Sequence, residues 1–131
     1  MRIAILTVLL IISMAAFASK EGALAFGHLH VDSKGIGESG PVVVDVIQGD
    51  RGIQRFSVHA FDRSYELTES QLRELGPGMY NSIQVSYERG YKELGGRTIY
   101  IKISMAFTSA VERGKFIVIT EAGSVTLKDH V

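Results

Sequence analysis

There is no cysteine among the 131 residues, and that absence excludes disulfides, thiolate metal centres, thiol catalysis and a lipid-modified N-terminal cysteine together. Stability must come from packing alone. There is one asparagine, Asn81, and because Ser82-Ile83 follows it the chain offers no Asn-x-Ser/Thr acceptor for N-glycosylation. Nor is there an excess of charge of either sign. The 14 basic side chains stand against 14 acidic ones, which removes the electrostatic case for nucleic acid or for an anionic membrane surface.

Long apolar runs are also missing, except at the start. Met1-Arg2 leads into an apolar stretch from Ile3 to Ala16, broken only by Thr7 and Ser13 and closing on Ala16-Phe17-Ala18. A basic start, a greasy middle and a small-x-small end make residues 1–18 a cleavable secretory signal. The run is shorter than the ~20 apolar residues of a spanning helix and no basic stop-transfer cluster follows it. The expectation is an exported chain whose mature part begins at Ser19, with residues 19–131 forming one globular domain and no integral membrane segment after cleavage. Export without cysteine or a glycosylation site fits a bacterial periplasm or the medium beyond it.

What is present is period-two patterning, the signature of strands. From Thr98 to Met105, Ile99, Ile101, Ile103 and Met105 point one way while Thr98, Tyr100, Lys102 and Ser104 point the other, so one face is expected buried and one wet. Tyr80 to Arg89 repeats the pattern, and the link through Gly90, Gly95 and Gly96 predicts a hairpin. Pro41 to Gly49 is a denser run in which Asp45 is the only charge, suited to a central strand covered on both faces. Gln48-Gly49-Asp50-Arg51-Gly52 reads as a turn, and the chain returns along Ile53 to Asp62. Lys115 to Thr120 and a strand holding Val125 and Leu127 make a third hairpin, and Leu24 to Asp32 a leading strand.

The one helical signal is Thr68-Glu69-Ser70-Gln71, a capping box, followed by Leu72 and Leu75 and stopped by Gly76-Pro77. The fold class is therefore mainly β: an antiparallel β-sandwich or open barrel of about seven strands with one short helix near 69–75. An α+β arrangement with the helix on an antiparallel sheet is the runner-up.

Two constellations invite a functional reading. His28, His30 and Asp32 alternate along the leading strand, with neighbouring side chains roughly 7 Å apart. Two imidazoles so placed can share a metal, with His59 as a third ligand if its strand is the neighbour. The spacing from Gly22 to His28-Leu29-His30 is similar to the opening of the first cupin motif. The glutamate of that motif is replaced by Lys34 and Gly35, however, and its second motif has no counterpart, so nothing is carried over from it.

The second constellation is Tyr91 and Tyr100 beside Arg89 and Arg97, rings and guanidinium donors of the kind found on protein or glycan contact surfaces. No nucleophile elbow or Ser-x-x-Lys helix is present, and Gly35 to Gly40 leads into Pro41 rather than a helix that could hold a phosphate. Paired carboxylates such as Glu66 with Glu69 read as solvated surface. The resulting expectation is a small, non-catalytic envelope or secreted module that needs no cofactor and binds a protein, peptide or glycan partner, not a nucleic acid. The alternative is a metal-dependent binding protein or enzyme built on the His-x-His strand.

Overall fold

The computed structural model describes residues 24–35, 37–77, 79–90, 96–105 and 113–129, so the 1–18 segment lies outside the described residues. Two four-stranded antiparallel sheets face each other across one core. The first contains β1 (His28–Ser33), β2 (Val42–Gly49), β3 (Gly52–Ala60) and β4 (Arg63–Glu66). The second contains β5 (Ser82–Glu88), β6 (Thr98–Met105), β7 (Arg113–Thr120) and β8 (Val125–Asp129). In each sheet the strands lie in chain order. The inner faces supply Val42, Val44, Val46, Phe56 and Val58 from the first sheet and Ile99, Ile101, Ile103, Ile117 and Ile119 from the second, in one continuous apolar cluster. This is a β-sandwich, and the open barrel and the α+β alternative are set aside.

The single α-helix among the described residues is too short to form a layer: α1 (Glu69–Glu74) buries none of its own residues. Both bonds of its capping box are made. The Gln71 N–H donates to the Thr68 hydroxyl at 3.2 Å, and the Thr68 N–H donates to Gln71 Oε1 at 3.0 Å. Gly76 ends the helix in the left-handed region, φ +78°, where a side chain would be strained.

Three expectations are corrected. Among the described residues the strands number eight, because the run ending near Asp62 stops at Ala60, turns through Phe61 and Asp62 and continues as β4. Both turn residues have positive φ, 52° and 57°, the geometry of a two-residue hairpin that glycine or asparagine usually signals. β2 is central in its sheet, but its burial alternates: Val42, Val44 and Val46 are buried while Val43 and Asp45 are half-exposed and Ile47 is exposed. Finally, the polar side of β6 is only half wet, with Thr98 and Ser104 buried alongside Val118 on the neighbouring β7. Among the described residues no helix is long and apolar enough to cross a membrane.

Candidate functional site

The antiparallel register sets polar residues in rows across the outer face of the first sheet. His30 lies opposite Asp45, Asp45 opposite Ser57, and Ser57 opposite Glu66. On one side runs the row His28, Ile47, Arg55, and on the other Asp32, Val43, His59, Ser64. Each of these side chains points outward because its strand neighbours are fixed inward by the apolar cluster. β3 keeps this phase by absorbing one extra residue, Gln54, at the register shift opposite Ile47 and Gln48.

Within this array Asp45 is held by both histidines of β1. His28 Nε2–H donates to Oδ1 at 2.5 Å, and His30 Nδ1–H donates to Oδ2 at 3.2 Å. An ionised carboxylate only accepts, so the two rings present opposite nitrogens as donors. These bonds, that from His28 foremost, keep the Asp45 carboxyl below its ordinary pKa. Farther across the sheet Arg55 Nε–H donates to Glu66 Oε1 at 3.1 Å. His59 Nδ1 lies 3.3 Å from the Ser64 hydroxyl. Between these pairs is an open depression of about 330 Å³ bordered by Val43, Asp45, Arg55, Ser57, His59 and Glu66.

The strand order decides the metal expectation for His59. β2 stands between β1 and β3, so His59 is two strands from His28 and His30, roughly 10 Å at strand spacing, and it turns to Ser64 instead. His28 and His30 meet at Asp45. Among the described residues no group of three or more His, Cys, Asp or Glu side chains is arranged to hold a metal.

Of the aromatic and basic group, Arg89 and Arg97 both reach Glu38. Tyr91 lies outside the described residues. Tyr100 is half-buried on the outer face of the second sheet, between Ser86 and Val118. A hydrogen bond to Glu88 raises its pKa. Arg97 acts as a tie between loops: its Nε–H donates to Glu121 Oε2 at 2.6 Å and its Nη1–H to the Glu38 carbonyl, and its guanidinium lies 5.2 Å from the centre of the Phe61 ring. Glu121 in particular holds its pKa above the ordinary value. Arg89 is exposed and pairs with Glu38 Oε2 at 3.6 Å. Arg97 therefore has a structural task that the sequence reading did not anticipate, since its partners come from three other turns.

Sequence reasoning missed the gathering role of Asp45. The available signal was a lone carboxylate in a valine-rich strand, two strands' worth of sequence from a His-x-His pair, but only the register brings them together. Comparison with family models, with curated proteins and with solved structures gives no match, so the functional reading rests on the chemistry of these faces.

Proposed function

We propose that the chain is a small exported, non-catalytic β-domain that binds a protein, peptide or glycan partner through the outer face of its first sheet. The observation that supports this reading is the open depression bounded by Asp45, Arg55, Ser57, His59 and Glu66. Its side chains stand on strands of a packed sandwich, so they are ordered before a partner arrives and less conformational entropy is lost on binding. His28 and His30 are paired with Asp45, Arg55 with Glu66, and His59 with the Ser64 hydroxyl. Capacity remains for a partner: Arg55 commits one N–H of a five-donor guanidinium to Glu66, and the Ser57 hydroxyl both donates and accepts. Export follows from the N-terminal segment, and its expected product begins at Ser19.

A photo-reactive diazirine side chain placed at position 57, in the middle of this face, tests the reading in living cells. Diazirines react with protein and sugar alike, so a discrete adduct is expected from position 57 and none from position 126, exposed on the second sheet. Absence of an adduct at 57, or equal adducts from both positions, would overturn the proposal.

A further inference from the structure

A second surface lies where the β2–β3 turn meets the end of α1. There Ile53, Leu72 and Pro77 floor an open groove of about 340 Å³, and Arg51 and Arg73 line it. Both arginines are exposed, and among the described residues neither makes an ion pair or side-chain hydrogen bond. This contrasts with Arg55, Arg89 and Arg97, each of which has a carboxylate partner. Asp50, Glu69 and Glu74 are close in sequence but do not line the groove. The groove shares no lining residue with the depression on the first sheet.

From this geometry we infer that the groove is a docking site for an acidic peptide segment, one in which an apolar side chain enters the groove while flanking carboxylates meet Arg51 and Arg73. The chemistry selects among occupants. Two guanidiniums with no ion pair among the described residues call for anionic groups, which they can bind in bidentate fashion. An apolar floor of aliphatic and proline carbon takes a leucine- or phenylalanine-like side chain, whose apolar surface leaves water there. A sugar would find neither an aromatic platform nor side-chain hydroxyls in this lining. An acyl chain would need a longer cavity than one floored by three residues.

Random decapeptides displayed on phage, selected against the whole chain, provide the test. The expected winners place Asp or Glu within two positions of Leu, Ile or Phe. A synthetic winner should bind at least tenfold more weakly to the double variant Arg51→Gln, Arg73→Gln and equally well to Lys128→Glu, an exposed change on β8. Its affinity should also fall as salt is raised. Both arginines are exposed and, among the described residues, without ion pairs, so the double variant should melt with the parent; a double variant that fails to fold would itself contradict the placement. The proposal is overturned if no peptide is enriched, if the winners are basic or uncharged, or if the double variant binds as well as the parent. It is likewise overturned if the chain partitions onto phosphatidylglycerol vesicles more tightly than it binds the selected peptide.

Discussion

The side-chain amide of Gln48 and the backbone of Tyr80 grip each other at both ends. Gln48 Nε2–H donates to the Tyr80 carbonyl at 2.9 Å while the Tyr80 N–H donates to Gln48 Oε1 at 2.7 Å. Nε2 donates its other proton to the Phe26 carbonyl at 2.8 Å, and the Gln48 backbone N–H donates to Gly27 at 2.8 Å. Gln48 is on the first sheet and Tyr80 on the segment entering the second, so a buried, fully engaged amide joins the two halves of the sandwich.

Gln48→Leu should therefore be costly, although its shape is close and the position is buried. It leaves the Tyr80 N–H and the carbonyls of Tyr80 and Phe26 without their donors or acceptor. At ~1–3 kcal/mol for each buried orphan, a total loss of about 3 kcal/mol or more is expected in urea unfolding. A loss under about 1 kcal/mol would mean the clamp contributes little.

Tyr80 makes a second, pH-dependent contribution. Its hydroxyl donates to the Leu75 carbonyl at 2.6 Å, and burial pushes its pKa up to about 12. The folded state thus favours the neutral phenol, and this contribution is whole below the unfolded value near 10 and is lost as pH rises toward 12. Tyr80→Phe should cost ~1–2 kcal/mol at neutral pH, from the stranded Leu75 carbonyl, and flatten the alkaline limb of the stability curve. Parallel alkaline limbs for parent and variant would contradict this.

For Asp45 the sign is opposite. Its folded pKa is lowered by the His28 and His30 bonds, so its contribution is present above the ordinary carboxylate value and disappears as pH falls through the lowered one. Thermal melts from pH 6 to pH 2 should show the parent losing more stability than Asp45→Asn below about pH 4. Because the group is exposed the difference should be small, and a steeper acid loss in the variant would contradict the assignment.

Neighbouring positions on β6 test the register of the second sheet. Ile101 is fully buried and Lys102 half-exposed. Ile101→Asp should cost several kcal/mol by placing a charge in the core, whereas Lys102→Asp should cost less than about 1 kcal/mol. Equal shifts in Tm would show that the two positions do not face opposite ways.

Strand periodicity made most of the sandwich legible, because alternation such as Ile99, Ile101, Ile103 is a local property. So was the helix start, since Thr68 and Gln71 satisfy each other within one turn. β4 was not legible: the Phe61-Asp62 turn lacks glycine, and its left-handed backbone is accompanied by Arg97 over the Phe61 ring, a contact from 36 residues further along the chain. Gln48 looked like part of a turn because its partners, Phe26 and Tyr80, lie 22 and 32 residues away. The candidate site was half legible. The His28 and His30 pair stood out, but its meeting with Asp45, the separation of His59 and the occupation of Arg97 all depend on strand order and loop packing, which no local pattern encodes.

The claim that the outer face of the first sheet is the binding surface is tested most directly by the affinity of the partner captured from position 57. Ser57→Arg, which puts a bulky charge into the depression, should weaken that affinity at least tenfold, about 1.4 kcal/mol, while Thr126→Arg on the second sheet should leave it unchanged and both variants should keep the parental Tm. Undiminished binding by Ser57→Arg, or a loss confined to Thr126→Arg, would contradict the account.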